Sequence, residues 1–256
     1  MAVNFPRRAL VRPPADSYAE ALTREADPRP VDAALAQRQH ATHTDALRRV
    51  GLTVTELPPD ANHPDSCFVQ DPALVIDGIL IVARPGAASR RHESRAIVSA
   101  LSHVELPKYS VMRPATLEGG DVLVTEDRLF VGLSSRTNLA AVEQLRLVFS
   151  RPITPVPVPG RYLHLLTGCA YLGDERLLAT PECAALPELS QFDCLVVPDL
   201  EAPAANVLAL GSQVILPDGY PLTAELLARA GFNLHSVSIT EFEKRDGGVT
   251  CLSLLY

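Results

Sequence analysis

The sequence predicts an α/β fold in which one small unit recurs and closes into a ring. Three observations predict it. A strand pair, a helical stretch and a further strand follow one another four times in the same order. The pairs open near residues 73, 121, 169 and 206, close to the repeat of about 40–50 residues that marks propeller-like or arrayed folds. A fifth strand opens at Val249 with no partner after it, and the parts it lacks stand at the other end of the sequence.

Taken in order, residues 9–12 read as a strand, 31–49 as a helix and 52–57 as a strand. Residues 73–77 and 79–84 are apolar runs joined at Asp77-Gly78, a strong hairpin signal. Residues 89–102 then read as an amphipathic helix and 104–106 as a strand. The second pair, 121–125 and 128–133, turns at Glu126-Asp127 and leads through a helix at 138–149 to a strand at 153–158. The third, 169–172 and 176–179, leads through 183–192 to 195–197; the fourth, 206–210 and 213–216, leads through 223–230 to 234–239. Residues 1–256 are expected to form one domain.

Composition narrows the function. Hydrophobic residues make up 47% and charged residues 21%, as in an ordinary soluble globular protein. No apolar run approaches the ~20 residues that span a bilayer, and residues 1–12 lack a signal-peptide core, so no membrane role is expected. The five cysteines, at 67, 169, 183, 194 and 251, are odd in number and contain no CxxC pair. That pattern points away from a disulfide framework or a thiolate zinc site, and toward a reducing cytoplasm. A formal net charge of −7 argues against a nucleic-acid surface and suits a small cationic ligand.

The entrances to the first strands carry the chemistry. They read Gln70-Asp71-Pro72, Glu118-Gly119-Gly120-Asp121, His164-Leu165-Leu166-Thr167-Gly168 and Gly247-Gly248-Val249-Thr250-Cys251. In a five-fold ring, equivalent positions converge on the axis, so acids, a histidine and a cysteine far apart in sequence meet in one pocket. Cys251 is expected at the start of an apolar strand, behind glycines that leave space beside its sulfur. Singly, each residue has a plainer reading: Glu118 and Asp121 as turn residues, His164 as a core histidine in an apolar strand, Cys251 as a small buried hydrophobe. Arg90 and Arg136 alone read as surface charges, and Cys67, Cys169, Cys183 and Cys194 as core.

Six ordered motifs occur together: Pro64-Asp65-Ser66-Cys67-Phe68-Val69-Gln70-Asp71-Pro72, Arg84-Pro85-Gly86-Ala87-Ala88-Ser89-Arg90-Arg91, Leu117-Glu118-Gly119-Gly120-Asp121-Val122, Ser135-Arg136-Thr137-Asn138, Leu163-His164-Leu165 and Gly247-Gly248-Val249-Thr250-Cys251. In this order, within residues 10–254, they resemble the dimethylarginine dimethylaminohydrolase family. That family belongs to the guanidino-modifying enzymes, whose fold is the five-bladed α/β propeller, or pentein, of ββαβ modules around a pseudo-five-fold axis. The resemblance implies hydrolysis of N-methylated L-arginine to L-citrulline and a methylamine, with no cofactor and no metal. A small cationic amino acid would be the partner, and a homodimer is compatible with the reading.

The resemblance also implies roles. Cys251 would be the nucleophile, His164 the general acid and base, and Glu118 the acid that orients His164. Asp71 would pair with the guanidinium, and Asp65, Arg90 and Arg136 would hold the amino-acid end. Leu22, in Glu20-Ala21-Leu22-Thr23, matches a lid residue whose backbone touches substrate. Arg245 falls at a second backbone contact, a position usually aliphatic in the family. Gln70 stands where the family has glutamate, beside Asp71, and so removes a negative charge from the expected cation site. That departure keeps a citrulline or arginine hydrolase on the same fold in view. An amidinotransferase would carry long additional segments, and a non-catalytic ring protein would not need Cys251, His164 and Glu118 together.

Overall fold

The structure, a computed structural model, describes residues 6–26 and 28–256. β1 (Arg8–Val11), α1 (Ala33–Arg49) and β2 (Thr53–Glu56) come first. β3 (Ala73–Ile76), β4 (Ile79–Val82), α2 (Ser94–Ala100) and β5 (Lys108–Ser110) make one module. β6 (Val122–Val124), β7 (Leu129–Leu133), α3 (Leu139–Arg146) and β8 (Ile153–Pro157) make the next. A short α4 (Leu165–Gly168) leads into β9 (Cys169–Gly173), β10 (Arg176–Ala179), α5 (Pro181–Ala184) and β11 (Asp193–Val196). β12 (Leu208–Leu210), β13 (Gln213–Pro217), α6 (Pro221–Arg229) and β14 (Asn233–Val237) follow, then α7 (Thr240–Glu243) and β15 (Leu254–Leu255).

Each module is a three-stranded sheet in which the first strand pairs antiparallel with the second and the second parallel with the third. The fifth sheet, β15-β1-β2, obeys the same rule with its parts drawn from distant segments: Leu254 pairs with Leu10, and Leu10 with Thr55. First strands touch their neighbours around the ring, β15 against β3, β6 against β9 and β9 against β12. The architecture is a five-module α/β propeller. The first hairpin turns where Asp77-Gly78 requires it, with both residues left-handed at φ 51° and 75°. Buried apolar side chains gather in five clusters rather than one; Leu74, Ile81, Val122 and Val131, from two adjacent modules, share one of them. No helix among the described residues is long and apolar enough to cross a membrane.

The differences from expectation have local causes. The third strand of the first complete module is β5, beyond residues 104–106, because Pro107 has no N–H and the ladder starts after it, with Tyr109 paired to Ile81. The helix expected at 183–192 is interrupted by Pro187: α5 ends at Ala184 and a 3₁₀ turn covers Pro187–Leu189. The strands expected to open at Asp121 and Val249 open later, at Val122 and Leu254, while the third opens at Cys169 as expected; His164 and Cys251, expected in strands, lie ahead of them. Gly119–Asp121 and Thr250–Leu252 are 3₁₀ turns, and His164 is the N-cap of α4. Cys67, Cys169 and Cys183 are buried as expected, whereas Cys194 is half-buried in β11.

Helix α1 buries two histidines, His40 and His43, and the Nε2 of His43 lies 3.0 Å from Val249 O. Burial holds His40 down to about 3, with His43 adding to it, and burial holds His43 down to about 4. Unfolded, both would take a proton near pH 6.5, so stability is lost as pH falls from 6.5 toward these lowered values. Relative to His43→Gln, the wild type is expected to lose about 1 kcal/mol per pH unit below 6.5. Urea unfolding midpoints measured from pH 7 to 5 check this, and parallel curves for the two proteins would contradict it.

Candidate active site

The site is built where turns from separate modules meet. Glu118 stands immediately before the Gly119–Asp121 turn and is fully buried. Its Oε2 lies 2.8 Å from His164 Nε2, while its Oε1 accepts from Gly86 N–H at 3.1 Å and from Arg136 Nη1 at 3.4 Å. The glycines after Glu118 are spatial necessities. A Cβ on Gly120 would fall 2.7 Å from His164 Nδ1, and one on Gly119 would strike the carbonyl oxygen of Gln70. Asp121 holds the histidine segment from below, accepting from Leu165 N–H at 2.9 Å and from Ser134 Oγ at 2.6 Å.

His164 and Cys251 line one cavity with Leu22, Asp65, Asp71, Arg90, Arg136 and Arg245, joined by Phe68, Leu163, Asp246 and Gly247. Cys251 is 9% exposed, and its Sγ accepts from Gly248 N–H at 3.4 Å within the turn. Burial pushes its thiol up to about 12, Asp71 adds to the rise, and the Gly248 N–H offsets part of it. Burial alone would lower His164, but Asp71 and the Glu118 hydrogen bond outweigh it and lift the imidazole to about 9. Burial opposes ionisation of Glu118, yet the His164 bond and charge hold its carboxyl well below the usual range. These shifts favour a protonated thiol and an imidazolium lining the same cavity.

Arg90 is almost consumed by the protein. Its Nη1 donates to Asp71 Oδ2 at 2.7 Å, its Nε and Nη2 to Glu93, and its Nη2 also to Phe68 O at 3.1 Å. It has one Nη1 hydrogen left for a ligand, so its larger effect is to fix Asp71, whose other oxygen accepts from Gly120 N–H at 3.2 Å. Arg136, half-buried, has only the long contact to Glu118 among the described residues and is the more available cation. Asp65 accepts the Leu22 N–H at 3.0 Å; burial raises its pKa, partly offset by Arg90.

Gln70 and Arg245 stand differently from the other expected residues. Gln70 does not line the cavity shared by Cys251 and His164. It lines a separate channel of about 1090 Å³ formed by the first strands, because its backbone N–H is drawn to Cys251 O at 3.3 Å and Gly119 packs on its carbonyl. Arg245 lines the cavity, and its guanidinium donates to Ala19 O at 2.8 Å and Arg29 O at 3.1 Å, which leaves the expected backbone contact open. The next residue, Asp246, takes the Arg24 N–H at 2.8 Å. Together they hold the segment around Leu22 down, and the cavity beneath measures only about 20 Å³, room for little more than one water.

Ligand atoms of Asp71, Glu118 and His164 lie within 4.8 Å of one another, near enough to hold a metal ion. Arg90 and Arg136 already compensate both carboxylates, so a cation there would have to displace two guanidinium groups. Sequence reasoning passed over Asp121 as a site residue and did not single out Asp246 or Asn206. Asp121 stood within the Glu-Gly-Gly-Asp motif, and Asp246 left the Asp-Gly-Gly turn composition at residues 246–248, where its φ is 58°.

A thiol, an imidazole and a buried carboxylate at the axis of a five-module ring define the class of cysteine enzymes that modify guanidino groups. The comparisons narrow it. The family described as N,N dimethylarginine dimethylhydrolase, eukaryotic, matches residues 14–159. N(G),N(G)-dimethylarginine dimethylaminohydrolase of Pseudomonas aeruginosa is 36% identical over 98% of this chain and 99% of its own. The enzyme of that name from Streptomyces coelicolor is 38% identical over 97% of this chain and 96% of its own. The structure of the Pseudomonas aeruginosa enzyme, as a cysteine-to-serine variant complexed with citrulline, superposes with a TM-score of 0.93 at 35% identity, covering 98% of this chain and all of that one. The chain belongs to the dimethylarginine dimethylaminohydrolase family.

Proposed function

We infer that this protein is a cysteine hydrolase that converts N-methylated L-arginine to L-citrulline and a methylamine. One observation carries the reading: Cys251 and His164 line the same small cavity as Asp71 and Arg136, with Glu118 2.8 Å behind the imidazole. A guanidinium carbon is a weak electrophile because its charge is delocalised, and thiolate is the side chain best suited to attack it. Asp71 offers the cation a carboxylate, and Arg136, with Asp65, suits the ammonium and carboxylate of the amino-acid end.

The steps follow from the charges. A guanidinium beside Asp71 offsets the Asp71 repulsion that adds to burial in holding the thiol up, so as substrate binds the Cys251 thiol releases its proton to bulk water and the substrate favours its own nucleophile. The Cys251 thiolate then forms a C–S bond to the guanidino carbon, and its electron pair moves onto nitrogen. His164, already protonated, gives its proton to the methylated nitrogen as the C–N bond breaks and the amine leaves. Water attacks the remaining S-alkylthiouronium carbon while His164 takes its proton. The C–S bond breaks, the hydroxyl proton of the adduct passes to the departing sulfur, the Cys251 thiol is restored, and citrulline remains. Glu118 supports the imidazolium through both proton transfers.

Gln70 lines the channel, and methylarginine is the first choice over citrulline or arginine. Amine and ammonia release from a panel of methylarginine, arginine and citrulline tests this. Methylarginine is expected to be the best substrate by kcat/KM; ammonia from citrulline as the fastest reaction would replace the reading. Five free thiols suit a reducing compartment, and we place the enzyme in the cytoplasm. Residues from four of the five modules line one cavity, which supports residues 1–256 acting as one domain.

A further inference from the structure

We propose that Asn206 is a positioning residue of this reaction, whose carboxamide ties the segment carrying His164 to the turn carrying Cys251. It stands just before β12, in the fourth complete module, and is 5% exposed. Its Nδ2 donates to Leu166 O at 2.8 Å and to Thr250 Oγ1 at 2.9 Å, and its Oδ1 accepts from Thr250 N–H at 3.1 Å. Leu166 follows His164 by two residues in α4, and Thr250 directly precedes Cys251. One amide therefore meets an acceptor on one catalytic segment and a donor on the other. Aspartate in its place would set an oxygen against Leu166 O, and alanine would leave all three partners unpaired.

Packing leads to the same residue. A Cβ on Gly248 would strike the Asn206 carboxamide, with Nδ2 at 3.0 Å, so the second glycine of the Cys251 motif is a consequence of Asn206 lying against it. That glycine in turn supplies the N–H at 3.4 Å from the sulfur. The two segments come from different modules, and each is one turn long, a four-residue helix and a three-residue 3₁₀ turn. Neither has the length to fix its own orientation, and a displacement of ~1 Å between reacting groups costs about 100-fold in rate. The inference rests on the reading of Cys251 and His164 as nucleophile and acid–base.

The experiment pairs steady-state kinetics on methylarginine with alkylation of Cys251 by iodoacetamide in the ligand-free protein, at a temperature where melting curves show each variant folded. Asn206→Ala is expected to lower kcat about 100-fold with KM within about threefold, and to speed alkylation about tenfold as the turn loosens. A thiol that is easier to reach yet less productive is the signature of lost positioning. A role in stability alone would lower the melting temperature and leave kcat per folded molecule intact. Should Asn206→Ala fail to fold, the isosteric Asn206→Asp keeps the Thr250 N–H bond, loses the one to Leu166, and is expected to show the same fall in kcat. A kcat within about threefold of wild type in either folded variant overturns the proposal. If the wild type itself does not turn over methylarginine, the functional reading fails separately; alkylation then decides for Asn206, and an unchanged rate overturns it.

Discussion

Replacing Cys251 by serine is expected to reduce turnover of methylarginine by about 10³-fold or more, with the fold intact. The size follows from the site rather than from thiols in general. Burial and Asp71 already hold the Cys251 thiol at about 12 in the empty cavity. A serine hydroxyl is less acidic still, and the charge of one bound guanidinium cannot bring it into ionisation near neutrality. Cys67→Ser, by contrast, acts only through packing in the cluster that holds Phe68 and Phe242. Mass spectrometry of an acid-quenched reaction should find the substrate adduct on the peptide containing Cys251. An adduct on any other cysteine, or more than a few percent of activity in Cys251→Ser, rules out the assignment.

The second large effect is expected from Glu118→Gln, a fall in kcat of about 10²–10³-fold. The amide keeps the shape but presents an NH₂ either to the His164 ring or to the Gly86 and Arg136 donors, where Glu118 now accepts from all three. It also removes a charge that lifts the imidazole to about 9. The His164 pKa therefore falls in the variant, and the alkaline limb of the pH–rate profile, which reports the protonated imidazole, moves to lower pH. The same shift has a stability counterpart. In the wild type, the contribution of the raised His164 is complete below pH 6.5 and is lost as pH rises through about 9. A Glu118→Gln profile that coincides with wild type, with kcat within tenfold, would falsify the pairing.

The parts of the fold legible in the sequence are those that local chemistry controls. The Asp77-Gly78 hairpin was visible because two left-handed residues in succession are what that dipeptide supports. Asp32 caps α1 through Leu35 N–H, and α1 lies within the range expected from the sequence. Strand β5, Lys-Tyr-Ser, has one apolar residue and no period to detect, so the apolar residues 104–106 before Pro107 drew the assignment. The turns at Gly119–Asp121 and Thr250–Leu252 could not be told from strand starts, since three residues carry no periodicity.

In the site, the motifs brought Cys251, His164, Asp65, Asp71, Arg90 and Arg136 to one cavity, with Glu118 behind it. They could not give the direction of side chains. Arg245, expected through its backbone, lines the cavity while its side chain braces Ala19 and Arg29, and Gln70 lines the channel. Asp121 and Asn206 make hydrogen bonds to residues about 40 positions away, Leu165 and Thr250, and such partners cannot be read from local pattern even where, as for Asp121, the residue stands in a motif.

The sheet β15-β1-β2 sets when activity can arise. Every other module is made from a continuous stretch of chain, so its pairings close short loops. The fifth joins Leu10 to Leu254, a closure over nearly the whole sequence, and contacts of that separation form slowly. Cys251 sits just ahead of β15, on the segment that this closure draws to the axis. A molecule with the other modules folded and this sheet open possesses every side chain of the site and has no site. Catalysis therefore depends on closure of the ring, and a turnover assay counts closed rings.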